Sequence, residues 1–333
     1  DTEEYCKIGI EDFISGKEMK FDIFIQVSPS KYIKIAHCGE NIAMDRIQTY
    51  KSKNINFLYM KKSDFRKYLN FNLDIAKAVT KSDQISHLKK MNFIKHTSEV
   101  LLQNLYSSDI RKEDFEQAQA LVENAVSLLG DNSDAGDLLV ALSAHTDFLY
   151  AHSVGVSLYA SLIGKAMGWA SPTTVFKLSV GGLLHDIGKK EIPRNILEKA
   201  RKDLTPEDVL LLESHSSRGA EILAQLQCIP SDILQIAYQH HENCVGSGYP
   251  SRIKKSKFNP LARVIAVANE FTSLVIKNPN SPGMSPTDAI KRMLSLNPDY
   301  YDETALRALL KVFKIPASAF EGNGYNGKLQ RSV

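Results

Sequence analysis

The chain is poor in cysteine. Its 333 residues hold four, Cys6, Cys38, Cys228 and Cys244, and no two of them form a CxxC pair. That spacing offers neither a disulfide framework nor a zinc knuckle, so free thiols in a reducing compartment are expected. Long hydrophobic runs are missing as well. No apolar segment approaches the ~20 residues that cross a bilayer, and no membrane partner is expected. The opening DTEEYCKIGIEDF has neither the basic nor the apolar region of a secretory signal, which points to a cytoplasmic protein. Excess charge is scarce too: a formal +3 at pH 7 is too small to draw a DNA or RNA polymer or an anionic membrane.

What is present is ordinary globular material, 43% hydrophobic and 24% charged, in a chain long enough for two domains. The first 70 residues alternate. "FDIFIQVSP", "KYIKIAHCG" and "NINFLYMKK" carry the period of half-buried strands, and "ENIAMDRIQTYKSK" between them has helical spacing at Ile42, Ile47 and Tyr50. A small α/β domain over 1–72 follows. It shows no catalytic cluster, so a regulatory or sensory role is expected.

Beyond residue 73 the pattern turns helical. Segments near 84–106 and 112–129 form an expected helical linker (73–130) able to pair between the subunits of a homodimer. "GDNSDAGD" (130–137) reads as a boundary loop. Further helices are expected near 138–168, 173–185, 206–226, 231–243, 260–276 and 285–312, with no strand of comparable quality. The fold class is therefore mainly α, an all-helical bundle over 131–333 behind a small α/β domain.

Five of the nine histidines, His152, His185, His215, His240 and His241, fall in or beside apolar helical segments of that bundle. An unpaired imidazole there costs free energy, and one alone would read as a satisfied core residue. Five together with Asp186 read differently, because imidazole and carboxylate hold divalent transition metals and a bundle can aim such ligands at a shared point. Adjacent helical residues diverge by about 100°, so the His240–His241 pair suits two metals better than one. Asp186 can bridge them with its two oxygens at the ~3.5–4 Å spacing of two-metal hydrolytic sites. Lys189, one turn later, can meet a phosphate as a point charge, whereas Lys190 reads as surface.

"LLHDIGKKEIP" (183–193), "HSSRGAEIL" and "HHENCVGSGYP" (240–250) together resemble the HD-GYP family, a branch of the HD-domain metal-dependent phosphohydrolases, over about residues 135–333. The resemblance implies an HD-type helical bundle with divalent metals, iron favoured and manganese possible. It implies hydrolysis of cyclic di-GMP or a related cyclic dinucleotide by a metal-bound hydroxide. The implied metal ligands are His152, His185, Asp186, His215, His240 and His241, with Asp186 the bridge and Lys189 the phosphate contact. Read from their positions, Glu242 is placed to orient an imidazole, and Gly248-Tyr249-Pro250 forms a turn that positions the His-bearing helix end, with Tyr249 touching substrate as the alternative.

Four departures set this chain apart. Val245 replaces the Asp of the second signature, and Asn269 stands where a late metal-binding Asp is usual, as a weaker neutral ligand. Phe148 occupies the place of a third-metal Glu, so two metals are expected. "IKNPNSPGMSP" lacks the Arg-Pro-Tyr-Arg segment that holds substrate, a loss for which Arg252, Lys277 or Arg263 would have to compensate. The alternative reading is a degenerate HD-GYP module that keeps its metals and signals with little or no turnover. A di-iron oxygenase is a third, against which Lys189 and the two signatures count.

Overall fold

The structure is a computed structural model and describes residues 4–10, 13, 17–128, 135–143, 147–169, 171–278, 281–296, 299–316 and 319. The chain divides into two compact units, Asp1–Ser82 and Asp83–Val333.

The first unit contains β1 (Tyr5–Gly9), β2 (Ile23–Ser28), β3 (Lys31–Ala36), α1 (Met44–Ser52), β4 (Phe57–Lys61) and α2 (Phe65–Lys81). The strands form one antiparallel sheet in the order β1-β4-β2-β3. Alternation buries Ile8, Ile23, Leu58 and Met60 on one face. The three strands expected from period-2 patterning are present, and β1 joins them as an edge strand whose YCKIG buries only Ile8 and so shows no clear alternation. α2 crosses the expected boundary at residue 72 for a physical reason. Its apolar stripe, Tyr68, Leu69, Phe71 and Ile75, closes the sheet's core, with Tyr68 and Phe71 packed edge-on to Phe21 at 5.5 and 5.8 Å.

The second unit is helical: α3 (His87–Ser107), α4 (Lys112–Leu128), α5 (Ala135–Ser143), α6 (Phe148–Ala166), α7 (Pro172–Leu184), α8 (Arg194–Leu197), α9 (Pro206–Glu213), α10 (His215–Ala224), α11 (Ser231–Gln239), α12 (Pro260–Val275), α13 (Pro286–Leu296) and α14 (Glu303–Val312). The mainly α fold class holds. The linker expected over 73–130 does not stand apart, because α3 and α4 pack on α5, α6 and α7. Their apolar faces, expected to pair between subunits, are buried inside the unit at Met91, Ile94, Leu101, Leu105, Phe115, Leu121 and Val122. Of the loop expected over 130–137, residues 130–134 lie outside the described residues and 135–137 already belong to α5.

Three helices expected as continuous are each two. Asp147 caps the start of α6 by accepting the Leu149 N–H at 2.9 Å, ending any helix that would run through from 138. A break at Ser214 separates α9 from α10, and Asp302 caps α14 by accepting the N–H groups of Thr304 and Ala305. α6 is buried on all sides from Ala151 to Gly164, surrounded by α3, α7, α12 and α14, and its buried hydroxyls at Ser157 and Ser161 are satisfied by the carbonyls of Ser179 and Ser157. Among the described residues no helix is long and apolar enough to cross a membrane.

Candidate metal centre

Most of the candidate ligands sit at helix ends, where chain direction changes and several elements converge. His185 is the C-cap of α7, His215 opens α10, and His240–His241 follow α11. His152 projects from the second turn of α6, and Asn269 from α12. Asp186 lies between α7 and a short 3₁₀ helix, Ile187–Glu191. His152, His185, Asp186, His215 and His240 are buried. Their ligand atoms form two groups of potential metal donors that share Asp186: one with His152 and His185, the other with His215, His240 and half-buried His241.

The carboxylate separates the two groups. Its Oδ2 lies 3.3 Å from His185 Nε2 and 3.9 Å from His152 Nε2. Its Oδ1 lies 3.2 Å from His215 Nε2 and 3.6 Å from His240 Nε2. Lys189 Nζ donates to Oδ2 at 2.6 Å. On the other side of His152, its Nε2 is 2.9 Å from Asn269 Oδ1.

Whether these residues suit a cation follows from where the imidazole protons sit. The Nδ1–H of His185 donates to Gly182 O at 2.7 Å, that of His215 to Leu212 O at 2.6 Å, and that of His240 to Ala237 O at 2.8 Å. With Nδ1 protonated, each Nε2 presents a lone pair, and the backbone bond fixes the ring's direction. His215 Nε2 and His240 Nε2 then face one another at 3.1 Å as two acceptors, with Asp186 Oδ1 as a third. His185 Nε2 and Asp186 Oδ1 are buried without a hydrogen-bond partner. Lone pairs converging on a point with no proton among them suit a divalent cation, and the residues present fit one on each side of Asp186.

The electrostatics agree. Burial, with His185 nearby, pushes His152 down to about 3, and burial likewise brings His240 down to about 3 and holds His241 well below its ordinary value. Burial alone would raise the Asp186 carboxyl, but the adjacent His185 and the Lys189 ammonium outweigh it and hold it well below the carboxylate range. The site therefore holds a carboxylate at its centre, with neutral His152, His240 and His241 around it and the Lys189 ammonium on one side, and deprotonated donors of this kind are what metal binding requires. A pH effect follows for the metal-free protein. Below about 6.5 the unfolded chain protonates these histidines and the folded chain does not, so the unfolded state binds more protons. Stability falls as pH drops from about 6.5 towards about 3, and a thermal midpoint lower at pH 5 than at pH 7.5 is the expected result. Equal midpoints would contradict neutral buried imidazoles.

The remaining expected residues divide. Tyr249 stacks on His241 with ring centroids 4.5 Å apart at 22°, at the rim of the second group and just before a cis Tyr249–Pro250 bond. Glu242 does not orient an imidazole: its carboxylate accepts the backbone N–H of Ser251 at 2.6 Å and of Ile253 at 3.1 Å, clamping the loop. Asn243 supplies the loop's other polar anchor by accepting from Gly246 and Ser247, so exposed Val245 leaves the turn intact. Arg252 is exposed, at a φ of 53°, and Arg263 is ion-paired with Asp302 at 2.7 Å. Phe148 packs its ring 5.6 Å from that of His152. Lys190, read as surface, instead donates to Leu105 O at 2.9 Å and Ser108 O at 2.6 Å, because the end of α3 leaves carbonyls without helical partners there.

Comparison with known proteins agrees with this arrangement. The family model described as "HD domain" matches residues 138–305, half of the chain. A cyclic di-GMP phosphodiesterase of Pseudomonas aeruginosa is 30% identical over 177 residues, covering 53% of this chain and 42% of its own. One of Thermotoga maritima is 32% identical over 183 residues, covering 54% and 48%. The chain thus spans less than half the length of these curated relatives. A solved structure described as an HDG"Y"P protein of Bdellovibrio bacteriovorus shares the fold, with a TM-score of 0.66 over 93% of this chain and 100% of that one, at 19% identity. The matched domain and the two ligand groups around His185–Asp186 and His240–His241 place the chain in the HD-domain family, within its HD-GYP branch.

Proposed function

We propose that this chain is a two-metal phosphodiesterase that opens cyclic di-GMP, or a related cyclic dinucleotide, to its linear form. The observation that carries the reading is the placement of Asp186, whose two oxygens each face a different set of imidazoles at 3.2–3.9 Å. Two divalent ions bound there would supply an activated water and Lewis-acid neutralisation of phosphoryl charge. The imidazole-rich donor set with a single shared carboxylate suits iron or manganese. The relatives' names support the substrate class.

The chain's own residues do the rest. Three Nδ1–H bonds to backbone carbonyls hold the imidazoles in ligating tautomers. Lys189 is partly exposed beside the bridge, and its ammonium can turn from Asp186 Oδ2 to a phosphoryl oxygen. Tyr249, stacked on His241, offers an aromatic face at the rim for a base. Loading the protein with iron(II) or manganese(II) under reducing conditions and adding cyclic di-GMP should give linear dinucleotide. Absence of that product from protein carrying two metals per chain would reject the reading.

One observation favours the alternative of a metal-binding signalling module with little turnover. The side chain 2.9 Å from His152 Nε2 is the neutral Asn269, so the His152–His185 side lacks a second anion. Asn269→Asp adds that charge. Manganese affinity is expected to rise about tenfold, in line with the weight of groups around a metal's ligands. A matching rise in hydrolysis supports the enzyme, whereas tighter metal binding with hydrolysis still absent supports the module.

A further inference from the structure

We infer that Tyr106, on a helix that precedes the residues matched by the HD-domain model, is a positioning residue for the metal bridge: its hydroxyl fixes the peptide that carries Asp186. The inference rests on the two-metal reading above. α3 spans His87–Ser107, whereas the family match begins at residue 138.

From the last turn of α3, Tyr106 Oη donates to the main-chain oxygen of Asp186 at 2.8 Å. The same oxygen accepts the Lys189 N–H at 2.9 Å, which closes the first 3₁₀ turn. A carbonyl oxygen has two lone pairs, so its capacity is filled and the peptide plane is held from both sides. That control matters at this residue. Asp186 has φ −94° and ψ 6°, the sparsely populated bridge region, where the backbone has no deep well of its own. Its carboxylate must also straddle two imidazole groups, and a small rotation that shortens one side lengthens the other.

The contact is part of a two-way latch. Lys190, from the 3₁₀ helix, donates back to Leu105 O and Ser108 O at the end of α3. The Tyr106 ring packs at 61° against Tyr150, with centroids 5.7 Å apart, and Tyr150 lies two residues before His152 on α6. One side chain therefore touches the backbone of the bridge and the helix that carries a ligand of the His152–His185 group.

Tyr106→Phe keeps the ring and removes only the hydroxyl. Titrating manganese(II) into the full chain, with binding followed by calorimetry and spin coupling by electron paramagnetic resonance, should show affinity about tenfold weaker than in the unsubstituted protein. The coupled two-manganese signal should give way to isolated ions, with the metal-free thermal midpoint nearly unchanged. Lys190→Met, which releases the latch without touching Tyr106, should weaken binding in the same direction. Ser107→Ala, on the exposed side of the same turn, should not. Equal affinity and coupling in Tyr106→Phe and the unsubstituted protein overturn the positioning role and leave the metal centre standing. A loss of affinity matched by an equal loss of metal-free stability overturns it in favour of simple packing. No manganese uptake by the unsubstituted protein overturns both readings.

Discussion

Asp186→Asn is expected to lower the metal content from two ions per chain to one or none and to cut hydrolysis by at least about a thousandfold, equivalent to about 4 kcal/mol of barrier. The side chain keeps its shape, so the effect isolates charge and acceptor geometry. The carboxylate now offers one oxygen to His152 and His185 and the other to His215 and His240. An amide has a single acceptor, and its NH₂ must point at one of the two imidazole sets. That set then faces a donor where a cation should sit. Folding should suffer little, because Lys189, which would lose its partner, is 21% exposed and can turn to water. Elemental analysis and product chromatography on the same sample check the result. Two metals retained with normal hydrolysis would show that the bridge lies elsewhere.

Gly188→Ala should be the most damaging small substitution in the signature. A Cβ at Gly188 would lie 2.0 Å from His215 O and 2.6 Å from Gly219 N, both backbone atoms that cannot rotate aside. The 3₁₀ helix must move off α10, and this contact is what brings Asp186 Oδ1 within 3.2 Å of His215 Nε2. Overpacking against backbone costs about 3 kcal/mol or more. For a unit of this size that lowers the thermal midpoint by roughly 6–12 °C. Metal should be lost first from the His215 side. An unchanged midpoint with full metal content would contradict the close approach.

These two residues also show what could be read from the sequence. The candidate ligands were legible because histidines in apolar helical surroundings are costly and cluster for a reason, and the structure gathers them around Asp186. Three strands and most helices were legible from period. The helix breaks were read through: apolar spacing continues on both sides of the cap at Asp147, while before Asp302 it outweighed the Asn297-Pro298 breaker that the sequence does carry. α2 was divided wrongly at residue 72 because its stripe serves a core built by strands earlier in the chain, a fact that periodicity does not carry. Glu242 and Lys190 were misread for a related reason. A charged residue beside a motif gives no sign of whether it faces a ligand or an unpaired backbone group, and here both face backbone. Tyr106 left no signal at all, since one tyrosine at the end of an amphipathic helix is common and its partner lies 80 residues away.

The central claim is that Asp186 stands between two metals. Anomalous diffraction from crystals of the manganese-loaded full chain tests it directly. The account predicts two peaks, one among His152, His185 and Asp186 Oδ2, and one among His215, His240, His241 and Asp186 Oδ1. A single peak, or a pair that does not share Asp186, would contradict it.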